Sequence, residues 1–287
     1  MAIFKRSWRL KIEVENVIKE FKELENTDTS LKIDFDATSK TSKWAEGNIT
    51  IQNLNKDDLQ YLASCARISG GATFKHNKVS LEAGYGGDLA VILCGNISQV
   101  DVDFTSADRK CTLKVSGNFA QNALKNSVGL SMDGDIDFRE ICKEASALMK
   151  VKLVYDSNIK PILQKGYSFL GTPMRLLDDL RQSFKDYYLI LSADGNTLSV
   201  KPKENATILK KDVISEETGM IGMPKPTQYG LTITSLLNSA LKAGDFVEVQ
   251  SKKITAFNGT YFIYELKHKG SNMNNEWIST LDLRKRA

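Results

Sequence analysis

Near the start of the chain Trp8, Leu10, Ile12 and Val14 alternate with Arg9, Lys11 and Glu13. After a polar connection at 25–30, Leu31, Ile33 and Phe35 alternate with Lys32, Asp34 and Asp36. A period of two with one apolar face predicts half-buried antiparallel strands. Ile49 and Ile51 continue the pattern, and shorter runs predict strands at 78–83, at 89–93 running into Gly95-Asn96-Ile97, and at 111–115. Asn55 stands before Lys56-Asp57-Asp58-Leu59-Gln60-Tyr61-Leu62-Ala63. This predicts a short helix with Asn55 as N-cap, Asp58 in its first turn, and Leu59 and Leu62 toward a sheet.

From about residue 121 the texture changes. Asp137 with Glu140 three residues on, flanked by Ile136 and Ile141, reads as a capping box with a hydrophobic staple, opening a helix to about Met149. A strand follows at 151–155. Thr172-Pro173 starts a second helix, with proline where its missing N–H is harmless and an apolar stripe of Met174, Leu177, Leu180 and Phe184 edged by Arg181. Tyr188, Ile190 and Leu198, Val200 then flank Asp194-Gly195 as a hairpin.

Beyond residue 205 the segment Thr218–Pro226 is punctuated by glycine and proline and reads as a crossover that cannot be a regular helix. Three period-two runs close the chain: Phe246–Val249, Tyr261–Tyr264 and Trp277–Leu283. Asn258-Gly259 reads as a tight turn and 269–275 as a longer polar loop, so the whole is a compact antiparallel meander. The pattern predicts an α+β protein, mainly antiparallel β, divided into β regions at 1–120 and 205–287 with a small α+β domain inserted at 121–204.

With 287 residues, 41% hydrophobic and 26% charged, the composition is that of an ordinary globular chain with room for two or three small domains. No apolar run approaches the roughly 20 residues needed to cross a bilayer, and the N-terminal Met1–Arg6 lacks a signal-peptide core, so folding in the cytoplasm is expected. The net charge of +4 is small and interspersed, which gives no support for sequence-specific DNA binding. Arg284-Lys285-Arg286 reads as a solvated tail.

Candidate chemistry is sparse. Asp133, Asp135, Asp137 and Glu144 match positions one, three, five and twelve of a calcium loop, but Phe138 stands where that loop needs glycine, and a helix cap accounts for Asp137. Cys65, Cys94, Cys111 and Cys142 have no paired spacing and only His76 and His268 to assist them, so reduced structural thiols are expected and no metal site. Neither histidine sits near a nucleophile motif. Asp178-Asp179 are adjacent on a helix and point about 100° apart, and Gly84-Tyr85-Gly86-Gly87 is followed by no Lys-Ser/Thr. No catalytic residue and no cofactor are expected.

Several strings carry a resemblance. They are Tyr229–Asn238, Leu241–Val249, Asn258–Tyr261, Glu265–Gly270 and Glu276–Leu283 at the end of the chain, with Asn48–Leu54, Val79–Tyr85 and Val91–Ile97 in its first third. Together they resemble the baseplate hub proteins of contractile phage tails and related injection machines, with Cys94 a mild departure. The structural positions carried by that resemblance are Gly84, Tyr85, Leu236, Leu237, Asn238, Gly259, Tyr261, His268 and Trp277. His268 is expected to make a structural hydrogen bond at a strand end. The resemblance implies two tail-tube-like β-barrel or sandwich domains around the insert, and a homotrimer presenting six similar surfaces. It also implies a central spike and a tail tube or tube-initiator protein as partners, a tape measure protein as a further neighbour, and DNA passing through the channel without sequence-specific binding. The expected location is the virion tail baseplate, assembled in the host cytoplasm, with no membrane anchor. The inserted segment resembles ring-forming modules of secretins, which keeps a secretin-like channel component open as an alternative. A tail-associated cell-wall hydrolase is a second alternative, from the enzyme class.

Overall fold

The computed structural model describes residues 5–14, 17–22, 31–41, 43–65, 77–104, 109–117, 127–192, 196–203 and 212–285. His76 and the Asp194-Gly195 turn lie outside the described residues. The first β region contains β1 (Arg6–Val14), β2 (Val17–Lys22), β3 (Lys32–Lys40), β4 (Lys43–Gln52), α1 (Lys56–Ser64), β5 (Asn77–Tyr85), β6 (Asp88–Asp103) and β7 (Lys110–Gly117). Alternation is realised as read: Trp8, Leu10, Ile12 and Val14 are buried, as are Ile33, Phe35, Ile49 and Ile51. Asn55 caps α1, its Oδ1 accepting from the Asp58 N–H at 2.7 Å, and Leu59 and Leu62 are buried against the sheet.

The inserted region contains β8 (Val128–Asp137), α2 (Phe138–Met149), β9 (Lys152–Tyr155), β10 (Leu163–Gly171), α3 (Pro173–Ser183), β11 (Tyr187–Leu191) and β12 (Thr197–Pro202). Both helices start where the sequence places them. Asp137 caps α2 through the Arg139 N–H (3.1 Å), one residue short of the box expected with Glu140, and Thr172 caps α3 through the Arg175 N–H (3.4 Å). β8 and β10 form a separate antiparallel ribbon, while β11, β12 and β9 form a small mixed sheet. Phe138, Ile141, Leu176, Leu180, Leu198 and Val200 are at the centre of this region's own core. The ribbon is the part the sequence does not reveal. Ser131-Met132-Asp133-Gly134-Asp135 is polar because most of that stretch faces water, leaving Leu130 and Ile136 as the buried side chains of β8.

The third region contains β13 (Asp212–Ser215), β14 (Met220–Pro226), β15 (Gly230–Leu236), β16 (Phe246–Gln250), β17 (Gly259–Ser271) and β18 (Trp277–Lys285). Two expectations need correction here. The 218–226 crossover holds an edge strand, β14, whose register against β15 shifts between Ile221 and Lys225; an edge position tolerates Pro224 and Pro226 because no ladder donor is needed on the free side. Asn258-Gly259 does not make a two-residue hairpin. Asn258 is extended (φ −67°, ψ 143°) and ends a longer loop containing a 3₁₀ turn at Thr255–Phe257. Its Oδ1 accepts from the Ser251 N–H (2.7 Å) and its Nδ2 donates to the Ser251 carbonyl (3.3 Å), closing that loop by side chain instead of by turn.

The strands of the first and third regions share one sheet in the order β14-β15-β18-β17-β3-β4-β7-β6-β5-β1-β2, with β16 on the first half of β17 and β13 parallel to β16. β17 makes this possible: at 13 residues it is long enough to pair with β16 through Gly259–Phe262 and with β3 through Glu265–Ser271. The fold is α+β with mainly antiparallel strands.

Candidate functional site

β3 and β17 come from opposite ends of the chain, and the seam between them gathers most of the motif positions. Their register sets Phe35 opposite Gly270, Asp36 opposite Lys269 and Ala37 opposite His268. Gly270 is required there. A Cβ on it would stand 2.3 Å from Phe35 Cζ and 2.8 Å from Trp277 Cε3, so both rings lie across bare backbone. Trp277, 1% exposed, meets Phe35 edge-on with ring centroids 5.3 Å apart. Its indole N–H has no acceptor among the described residues, so the ring serves shape and burial. The Arg6 guanidinium lies 5.8 Å from the same indole and donates to the Ser271 carbonyl at 2.9 Å, tying β1 to the end of β17.

Leu237 belongs to the core of the first β region although it follows β15, and its N–H donates to the Trp277 carbonyl at 3.0 Å. Tyr85 reaches the Leu237 backbone from β5, with its phenol pushed up by burial. Gly84 beside it permits a close strand approach, since a Cβ would sit 1.9 Å from the Asp88 carbonyl oxygen. Asn238 donates its N–H to Ser279 Oγ (3.0 Å), and that hydroxyl also bonds His268 Nδ1 (2.9 Å). Asn238 Oδ1 accepts from the Ala240 N–H, an Asx turn that fixes the corner after β15. Asn272 completes the seam by extending the β3 ladder: its Oδ1 accepts from the Ile33 N–H (2.8 Å) and its Nδ2 donates to the Leu31 carbonyl (2.9 Å).

Gly84, Tyr85, Leu237, Asn238, His268 and Trp277 therefore converge. Leu236, Gly259 and Tyr261 lie elsewhere. Tyr261 donates to the Phe257 carbonyl at 2.9 Å within its own region, and Leu236 is 37% exposed, leaning on Gly219. His268 sits within β17 between two partner strands, instead of at a strand end. Arg6, Phe35 and Asn272 complete the seam, and their roles have no local signature, because each depends on a partner more than 200 residues away.

His268 and Ser279 form a Ser–His pair, so a catalytic reading must be weighed. Burial lowers the His268 pKa from 6.5 to about 4, which keeps the ring neutral. Ser279 is 0% exposed, and its oxygen is already held by the Asn238 N–H. A nucleophile must reach substrate, and this hydroxyl cannot. Asp133 and Asp135 stand on extended β8 and Glu144 on α2, and among the described residues no group of three or more His, Cys, Asp or Glu comes together to hold a metal. Cys65, Cys111 and Cys142 are buried, and burial pushes the Cys111 thiol up to about 12.

A cavity of about 600 Å³ opens where the inserted region meets the sheet, with Ile190, Ser199 and Lys201 on one wall and Lys40, Leu241 and Leu266 on the other. Two of its three lysines are engaged: Lys201 donates to the Gly244 carbonyl (2.8 Å) beside Asp245, and Lys40 pairs with Glu265 at 2.9 Å, while Lys242 also lines it. The inserted region is docked beside it by Tyr188 stacked on Phe262 (4.2 Å) and by Ile190 against Phe246. Arg181 adds one bond across the joint, to the Thr41 carbonyl (3.2 Å), its guanidinium being held in place by two bonds to the Leu189 carbonyl of its own region (3.1 and 3.0 Å).

The fold is similar to those of solved phage-tail proteins and of a type VI secretion component. A tail protein from Neisseria meningitidis is 13% identical and superposes with a TM-score of 0.61 over 97% of this chain and 96% of its own. A 43 kDa tail protein of a Shewanella oneidensis prophage is 8% identical, with a TM-score of 0.62 over 98% and 99%. An E. coli component of the type VI secretion system, described as structurally similar to T4 tail proteins gp27 and gp5, is 10% identical, with a TM-score of 0.63 over 96% of this chain and 77% of its own. No curated protein matches the chain in sequence. A family model does: the chain belongs to the baseplate hub gp41 family, matched over residues 12–282. It is thus a structural baseplate hub of the phage-tail class.

Proposed function

We propose that three copies form a ring in which the β regions, residues 1–120 and 205–287, act as two related tail-tube-like domains around the inserted domain at 121–204. Three chains then present six similar surfaces, matching a threefold central spike to a sixfold tail tube or tube-initiator protein, with a tape measure protein as a further neighbour. The ring lines a channel through which DNA passes without being read, and the chain assembles in the host cytoplasm before joining the baseplate. The observation that carries this reading is the β3–β17 seam. It makes the two β regions one continuous sheet, so their relative orientation is fixed before any partner binds, which a symmetry adaptor needs. The role is one of assembly instead of catalysis, supported by the buried, doubly bonded Ser279 beside a neutral His268.

The test is single-particle electron microscopy of the purified chain, alone and with its neighbouring spike protein. Threefold rings with an open centre are expected. A monomer in both samples would overturn the ring, and hydrolysis of cell-wall polymer by the monomer would return the hydrolase reading.

A further inference from the structure

The cavity of about 600 Å³ between the inserted region and the sheet has the volume of a small-molecule site. Its walls are mixed. Ile92, Ile190, Leu241 and Leu266 give apolar surface, and Ser39 and Ser199 give hydroxyls from opposite sides. His268 also lines it, with the ring only 4% exposed. A polar group so deeply buried normally has every hydrogen-bonding atom engaged, so the partners of both ring nitrogens matter.

The bonds around the ring fix its tautomer. Ser279 is fully buried and its oxygen accepts from the Asn238 N–H, so the hydroxyl proton needs an acceptor of its own. Among the described residues that acceptor is His268 Nδ1, at 2.9 Å. A neutral ring that accepts at Nδ1 carries its proton on Nε2. The Nε2–H makes no hydrogen bond among the described residues, which leaves it as a donor for the cavity that the ring lines. The cations of the lining are balanced except for one. Lys40 pairs with Glu265 at 2.9 Å and Lys201 with Asp245 at 3.6 Å. Lys242 is exposed and forms no ion pair among the described residues, although Asp245 lies within its field.

We propose that this cavity binds an apolar molecule ending in a carboxylate. The carboxylate accepts from the His268 Nε2–H and is balanced by Lys242, while the apolar body lies against Ile190, Leu241 and Leu266. One unpaired cation and one neutral donor suit a single negative charge; a phosphate dianion would need more free cations than this lining has. The same chemistry is offered by the C-terminus of a polypeptide and by a free organic acid. A ligand here touches β11 and β12 on one side and β3 and β17 on the other, so its binding also holds the inserted region in place. The site goes beyond the assembly reading and does not depend on a ring.

The experiment is a titration of the full chain, carrying ¹⁵N-labelled histidine, followed by NMR of the ring nitrogens. His76 and His268 are the two histidines, and His76→Gln assigns their signals. Before any ligand is added His268 should show the Nε2–H tautomer; a proton on Nδ1 would overturn the proposal. The probes are acetyl-Leu-Leu and hexanoate as the acids, with acetyl-Leu-Leu amide as the neutral control. A saturable shift of the His268 Nε2 signal is expected with at least one acid at millimolar concentration. Tighter binding of the dipeptide assigns a polypeptide C-terminus as the source, and tighter binding of hexanoate a free acid. No saturable shift with either acid, or equal binding of the amide, would overturn the site. Lys242→Ala, at an exposed side chain, should weaken binding about tenfold and leave the tautomer unchanged; undiminished affinity would remove Lys242 from the site and overturn the charge argument. Bound acid should also slow amide exchange in β11 and β12, and exchange that does not change would overturn the bridging of the two walls.

Discussion

Trp277, Leu237 and His268 join the two β regions by sharing a ladder and a core, whereas Tyr188, Ile190, Arg181 and Lys201 hold the inserted region through one small apolar cluster and a few long side chains. The first joint resembles the interior of a single domain and the second a docked surface. A joint that shares its core should unfold with the whole, and a docked joint should open on its own. The inserted region also has a core to itself, so it loses little of its own packing when it moves.

The largest effect should come from Leu237→Asp, which places a carboxylate in the core of the first β region from a position in the third. A loss of more than about 4 kcal/mol is expected, since a buried charge would have no partner. Leu236→Asp, one residue away but 37% exposed, should cost under about 1 kcal/mol. Urea denaturation of the two variants decides it, and equal midpoints would break the idea that the seam shares a core.

Trp277→Ala should follow, at about 3–5 kcal/mol. Amide exchange should then rise in β1 and β3 as well as in β18. Exchange confined to 212–285 would mean that the two β regions are separately stable.

The pH dependence of stability sharpens the same point. The folded His268 pKa of about 4 lies below the free value of 6.5, so the unfolded chain takes up the proton first as pH falls. The contribution is complete above pH 6.5 and is lost as pH falls toward 4. For a fully buried ring the total is about 3 kcal/mol, at about 1.4 kcal/mol per pKa unit. His268→Gln should flatten the urea midpoint over that window; an unchanged slope would place the titrating group elsewhere.

Arg181→Met should cost less than the seam and core changes Leu237→Asp and Trp277→Ala, about 1–3 kcal/mol from the lost bonds to the Leu189 and Thr41 carbonyls. Its signature should be local, with faster amide exchange in β11 and β12 and none in β17. Equal loosening of β17 would erase the distinction between the two joints.

Legibility follows the same division. β1, β3, α1, β5, α2, α3 and β16–β18 were legible because alternation, caps and helical stripes are local. β2 and β8 carry mixed or polar sequence on largely exposed faces and gave no periodic signal. β14 hid behind its prolines and glycine, whose local meaning is a break until an edge position makes them acceptable. Asn258-Gly259 misled because a dipeptide preference is worth less than two side-chain bonds to Ser251. The motif positions were nameable from resemblance, yet nothing local said that Tyr85, Leu237 and Trp277 would meet.

By itself the sequence determined which faces must be buried and where helices begin. Only the tertiary structure decided that β3 pairs with β17 and that Leu237 serves a core far from it in sequence. The reason is that backbone hydrogen bonds are alike in every strand and cannot choose partners. The choice falls to side-chain fit at the join, such as Phe35 and Trp277 over Gly270, which exists only once both strands are in place.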